Sequence, residues 1–175
     1  NNPTLVLNIG GISNYTYCFN DILAAKDIGP GNVLMDEYLK KTKGIDYDKN
    51  GEIASSGNIN KDIINQFYEH EFYNVQQKHS FDRNEFDFSF VKGLEFEDAV
   101  ATLTYFTALI ISQNIKKNFD NEIEIILCGG GRRNLALVNH IKKLLKYKIK
   151  LIDEFNVDGN FIESQAFAYL SIRSY

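Results

Sequence analysis

Thr4-Leu5-Val6-Leu7-Asn8-Ile9-Gly10-Gly11-Ile12-Ser13-Asn14-Tyr15-Thr16-Tyr17-Cys18-Phe19 consists of two short apolar runs hinged on a glycine pair. Runs of this length, rich in β-branched and aromatic residues and split by turn residues, predict a β-hairpin. A second break at Asn20-Asp21 precedes Ile22 to Ile28, a third strand ended by Gly29-Pro30-Gly31-Asn32. Connections this short permit only antiparallel pairing, so the chain should open with three antiparallel strands.

Beyond Pro30, well placed at a helix start, Val33, Leu34, Tyr38 and Leu39 recur at helical spacing, and the helix should stop near Gly44. Residues 44–60 are rich in Gly, Asp, Asn and Ser and predict loop, followed by a short amphipathic helix carrying Ile63, Ile64, Phe67 and Tyr68. The aromatic and charged stretch 72–92 fits neither periodicity. From about Glu95, the residues Phe96, Val100, Leu103, Thr107, Ile110 or Ile111, and Ile115 keep a three-four step, which predicts the longest and central helix. Ile123 to Cys128 reads as a buried strand, Gly129 to Arg133 as a sharp turn and Leu135 to Leu145 as a helix. Lys148 to Ile152 follows as a last strand and Ile162 to Ile172 as a closing helix. Allowing for a helical and loop insert, the order is βββαβαβα, an α/β arrangement of the ribonuclease-H-like type found twice in actin-like ATPases and sugar kinases. Here one such domain is visible, over residues 1–175.

Composition narrows the class. The 175 residues are 44% hydrophobic and 24% charged with only two prolines, inside the globular range, and enough chain to bury a core. Nineteen basic against twenty-three acidic residues, a net charge of −4, leave no positive stripe to neutralise a nucleic-acid backbone. No run approaches the ~18 apolar residues of a membrane helix, and no signal peptide is apparent. Cys18 and Cys128 form no CxxC and are read as buried thiols of a reducing cytosol, so a cytoplasmic location is expected. His70, His79 and His140 share no metal-ligand spacing. Because the chain opens on Asn1-Asn2-Pro3 without a methionine, it is expected to be part of something longer.

Three glycine turns each follow an apolar strand: Gly10-Gly11, Gly29-Pro30-Gly31, and Gly129-Gly130-Gly131. Ligands of α/β sheets bind at strand ends, and glycine lets a phosphate or base approach the main chain. Together the three turns point to a nucleotide. Asn8 can offer an amide oxygen toward a metal-bound water. Asp27 can hold Mg²⁺ through water or serve merely as a turn residue, and Asn32 leads into a helix N-terminus that favours negative charge. The third turn can lay adenosine on bare backbone with Asn134 or Arg132 near the ribose, or can simply allow close helix–strand packing. A P-loop and a dinucleotide fingerprint are both absent from the sequence.

Asn8-Ile9-Gly10-Gly11-Ile12-Ser13-Asn14, Asp27-Ile28-Gly29-Pro30-Gly31-Asn32 with Asp36, Ala101-Thr102-Leu103-Thr104, Cys128-Gly129-Gly130-Gly131 with Asn134, and Ile162-Glu163-Ser164-Gln165-Ala166-Phe167-Ala168 together resemble the successive signatures of anhydro-N-acetylmuramic acid kinases. The resemblance implies an ATP-dependent kinase of cell-wall recycling in which water opens the 1,6-anhydro ring and O6 takes the γ-phosphoryl group. It assigns Asn8, Gly10 and Gly11 to a phosphate turn, Asp27 to Asn32 to the segment beside the nucleotide, and Gly129, Gly130 and Gly131 to adenosine. Glu163 falls to the sugar site, or to a favourable helix-dipole position. The family's first phosphate loop and its catalytic base lie in an N-terminal domain whose signatures do not occur here. Where the family has a Pro-Pro-Lys-Ser-Thr-Gly-Arg segment, this chain has Gln76 to Arg83. The chain therefore reads as the C-terminal lobe of a two-lobed kinase that needs its missing N-terminal half, with a non-catalytic nucleotide- or protein-binding module as the alternative. Half a cleft exposes an apolar face, so self-association is expected, and the stretch from Phe81 to Phe96 reads as a cover over the cleft or a homodimer surface.

Overall fold

A computed structural model describes residues 3–77, 80–82, 85–119 and 123–159, together with Ile162, Ala168, Ser171 and Ile172. The chain forms strands β1 (Thr4–Ile9), β2 (Ile12–Phe19) and β3 (Ile22–Pro30), then helices α1 (Val33–Lys43), α2 (Glu52–Ser56), α3 (Lys61–Gln77) and α4 (Phe96–Asn118). Strand β4 (Glu124–Cys128), helix α5 (Leu135–Leu144) and strand β5 (Lys148–Leu151) complete the described elements. One sheet runs in the order β3-β2-β1-β4-β5. The first three strands pair antiparallel and the β1–β4 and β4–β5 pairs are parallel. This is the expected ribonuclease-H-like arrangement.

Local chemistry explains the borders. Asn20, at φ 52°, makes the tight turn between Phe19 and its partner Ile22. Helix α1 ends on Gly44, whose left-handed φ of 69° lets its N–H reach back to the Lys40 carbonyl and the next N–H, of Ile45, to the Leu39 carbonyl. Strand β1 alternates, with Leu5, Leu7 and Ile9 fully buried. That apolar face meets α4, which is buried on nearly every side from Ala99 to Ile115. A 23-residue helix is about 35 Å long, enough to cross the whole domain. Among the described residues, no helix is long and apolar enough to span a membrane.

Several expectations change. The loop predicted over 44–60 contains α2, and the short helix after it runs for 17 residues. The unassigned stretch turns its aromatics inward: Phe90 and Val91 are buried, Phe81, Phe86 and Phe88 are half-buried, and Phe90 packs against Phe67 and Phe106 with ring centroids at 5.2 and 5.0 Å. Cys18 is exposed, not buried, because it lies near the β2–β3 tip, where Ile22 and Leu23 are also exposed; Cys128 is buried, and the two form no disulfide. The closing helix expected over 162–172 falls largely outside the described residues, as does Glu163.

Candidate nucleotide site

Parallel pairing of β1 with β4 brings the C-terminal ends of both strands to the same sheet edge, with Asn8 opposite Cys128. The first and third glycine turns leave the sheet from those ends. The second reaches them because Ser13, directly after the first turn, pairs with Gly29 across β2 and β3. Gly29 adopts φ 133°, a conformation that side chains rarely tolerate, and Ser13 fixes the following bend by donating its hydroxyl to the Pro30 carbonyl at 2.8 Å.

The backbones then touch. The N–H groups of Gly31 and Asn32 donate to the carbonyls of Gly11 and Gly10, each at 2.8 Å, and Val33 N–H donates to Gly11 at 3.1 Å. A Cβ on Gly31 would lie 2.3 Å from the Gly10 oxygen. On the other flank a Cβ on Gly129 would meet the Asn8 Oδ1 and Ile9 oxygens, and one on Gly131 would strike the Ile9 side chain. Gly31 and Gly131 are therefore the packing glycines that draw three turns into one rim. Gly130 differs: it is exposed, and the nearest atom to a Cβ there is Asn32 Nδ2 at 3.9 Å.

Two adjoining clefts lie over this rim and share Asp36 and Asp46. The smaller holds Gly11, Val33 and Lys40. The larger, of about 510 Å³, is lined by Asn32, Gly130, Arg133 and Asn134 on one side and by Tyr47, Asp48, Lys49 and Asn50 on the other. That second wall was missed as plain loop. Its organiser is Asp48, 5% exposed, whose carboxylate accepts the N–H groups of Ile53 at 2.9 Å and Ala54 at 3.0 Å at the start of α2. Gly51, at φ 75°, presses this loop onto Asn134 and Ala136 so closely that no Cβ fits.

The structure assigns the polar candidates unevenly. Asn8 Oδ1 accepts the Cys128 thiol at 3.7 Å. Asn134 caps α5, its Oδ1 accepting Leu137 N–H at 3.0 Å, while its Nδ2 faces the Met35 sulfur at 4.0 Å. The Thr104 hydroxyl, which donates to the Val100 carbonyl at 2.7 Å, lies 3.0 Å from the same sulfur, so α1, α4 and the third turn meet at one thioether. Arg132 does not point toward the cleft. It is 3% exposed and forks onto Asp153, with Nε to Oδ2 at 2.6 Å and Nη2 to Oδ1 at 3.0 Å. The Arg132 hydrogen bond holds the Asp153 carboxyl below its usual range, and the same bond pushes the guanidinium further up. The first N–H of α1, that of Val33, is given to the Gly11 carbonyl.

The site fits a nucleotide better than it fits a protein-held metal. Open backbone at Gly130 and a two-walled cleft leave room for a ribosyl base. Among the described residues, no three His, Cys, Asp or Glu side chains are grouped to hold a metal ion. Asp27 Oδ2 accepts Phe81 N–H at 3.2 Å, so this carboxylate also ties the inserted segment to β3. A magnesium ion here would take most of its ligands from phosphates and water.

Fold and rim together define a domain of the actin-like ATPase class. Two solved structures share the fold: the activator of the 2-hydroxyisocaproyl-CoA dehydratase from Clostridium difficile with bound ADPNP, at TM-score 0.56 and 17% identity over 86% of this chain and 54% of that one, and component A of the (R)-2-hydroxyglutaryl-CoA dehydratase of Acidaminococcus fermentans, at 0.54 and 14% over 84% and 54%. The chain belongs to the anhydro-N-acetylmuramic acid kinase family, whose sequence profile matches residues 1–175. It is 49% identical to the anhydro-N-acetylmuramic acid kinase of Pelagibacter ubique (strain HTCC1062) over 98% of this chain and 48% of that protein. Identity to the kinase of that name from Zymomonas mobilis subsp. mobilis is 36%, over 98% and 47%. The chain thus spans about half the length of the curated relatives it matches.

Proposed function

We propose that residues 1–175 form the C-terminal lobe of an ATP-dependent kinase that phosphorylates 1,6-anhydro-N-acetylmuramic acid. Water adds to the anomeric carbon, the bond from that carbon to O6 breaks, and O6 takes the γ-phosphoryl group, giving N-acetylmuramic acid 6-phosphate and ADP. The carrying observation is the convergence of the three glycine turns at one rim beneath two adjoining clefts. In this reading Gly10 and Gly11 approach the phosphates, Asn32, Gly129, Gly130 and Gly131 with the backbone at Asn134 receive adenosine, and Asn8 and Asp27 face the magnesium hydration shell. Glu163 serves the sugar.

ATP supplies the phosphoryl group; what this lobe contributes is position. Phosphoryl transfer relies on alignment and charge stabilisation from both sides of a cleft, so one lobe alone should be nearly inert. In this reading the other lobe brings the first phosphate loop and the base that activates water. Mixing the chain with a separately produced N-terminal half of the Pelagibacter relative, then following ADP and sugar 6-phosphate, tests this. Turnover on mixing, and none from either half, is expected. A stable, nucleotide-binding complex without turnover would instead favour a non-catalytic module.

A further inference from the structure

Arg132 is an unusual residue to bury inside a glycine turn. A guanidinium removed from water costs several kcal/mol unless it finds partners, and here each of its three nitrogens donates one hydrogen bond. Two are taken by Asp153, whose side chain remains 48% exposed. A third, Nη1, donates to the Gly129 carbonyl at 2.9 Å. The flat face of the group lies against Gly159, where a Cβ would fall 2.5 Å from Cζ. Arg132 thus joins the third turn to the segment after β5, and Gly159 lies four residues before Glu163 in sequence.

The bond to Gly129 has a directional consequence. A trans peptide is planar, and its C=O and N–H point in opposite directions. With the Gly129 oxygen drawn inward to Arg132, the N–H of the same peptide, which belongs to Gly130, is turned away from the guanidinium. Gly130 is the exposed residue of the turn and lines the larger cleft. A peptide between two glycines has a wide choice of orientations, and among the described residues the Gly129 carbonyl is held, besides the guanidinium, only by a longer bond from the Arg132 backbone N–H, at 3.4 Å. Gly129 adopts φ 79° and ψ 174°, and this pair of torsions sets the plane of the peptide that follows.

We propose that Arg132, clamped by Asp153, is a positioning residue that fixes the Gly129–Gly130 peptide with its N–H toward the nucleotide cleft. The proposal rests on the nucleotide reading above and adds to it a link between the nucleotide turn and the segment after β5 at Asp153 and Gly159. Arg132 touches no substrate in this scheme; it acts through the peptide plane. Lysine cannot replace it, since an ammonium lacks the fork that spans Asp153 while still reaching Gly129.

The ¹⁵N-labelled chain titrated with ADP provides the test. In the parent, the Gly11 and Gly130 amides should both shift. In Arg132→Lys the ADP Kd should rise about tenfold and in Asp153→Asn about threefold, with the Gly130 response lost and the Gly11 response kept. The double variant should bind no more weakly than Arg132→Lys, and Asp153→Glu should recover part of the loss, because the two residues act as one unit. Should Arg132→Lys fail to fold, Asp153→Asn, altered at a half-exposed carboxylate, carries the same readouts. Variants that bind ADP like the parent with the Gly130 response intact would overturn the proposal alone. A parent in which neither Gly11 nor Gly130 responds would overturn the nucleotide reading and this proposal with it.

Discussion

Replacing Gly31 with alanine probes the contact that holds the site together. The new Cβ would stand 2.3 Å from the Gly10 oxygen and 3.1 Å from the Gly11 oxygen, both backbone atoms that no rotamer can move. Ordinary carbon–oxygen contacts begin at about 3.3 Å, so the turns must separate by about 1 Å. The bonds from Gly31 and Asn32 to those carbonyls, 2.8 Å each, would then stretch past hydrogen-bonding range. Two lost bonds cost about 1–3 kcal/mol in total. Overpacking adds about 1–3 kcal/mol, so a loss near 3 kcal/mol is expected. With a urea slope of about 2 kcal/mol per molar, the unfolding midpoint should fall by about 1.5 M. Gly130→Ala is the paired control. Its Cβ enters open space, so stability should stay within about 0.5 kcal/mol while ADP binding weakens at the cleft surface. Equal urea midpoints for parent and Gly31→Ala would refute the argument that the second turn is wedged against the first.

Other perturbations separate the supporting contacts. Asp48→Ala removes the acceptor of two N–H groups at the start of α2 and should cost about 1–3 kcal/mol by thermal unfolding, with weaker ADP binding as the cleft wall loosens. Arg132 holds the Asp153 carboxyl below its unfolded value of about 3.9, so this contribution is complete at neutral pH and disappears as pH falls through the lower folded value. Between about pH 5 and 3 the parent should therefore lose more thermal stability than Asp153→Asn. Asp27→Ala should barely change unfolding, because the single bond to Phe81 is half-buried, yet it should weaken the magnesium dependence of ATP binding measured by calorimetry.

Much of the scaffold was legible because its signals are local. Alternation in Thr4 to Phe19, the Asn20-Asp21 break, the stop at Gly44 and the three-four repeat of α4 each act within one element. The glycine turns were legible for the same reason, although their meeting was an inference from strand order. What escaped depends on partners distant in sequence. Asp48 reads as one polar residue among many until α2 folds back onto it. Arg132 looks like a free cation beside a ligand turn, and only Asp153, 21 residues later, turns it inward. The aromatics of the inserted segment show no period because they meet different partners, Phe90 on α3 and α4, Phe88 on Tyr38 of α1, and Phe81 on Phe86. The exposure of Cys18 depends on its place beside Ile22 and Leu23 at the β2–β3 tip, which its own strand does not announce.

Met35 is the sole methionine of the chain and is only 1% exposed. Its sulfur sits where Thr104 and Asn134 converge behind the rim. Carbon-13 labelling of that one methyl would yield a solitary, sharp resonance free of overlap. Its chemical shift would register any rearrangement of the turn as cofactor or companion lobe arrives, giving a built-in spectroscopic gauge without engineering a foreign label.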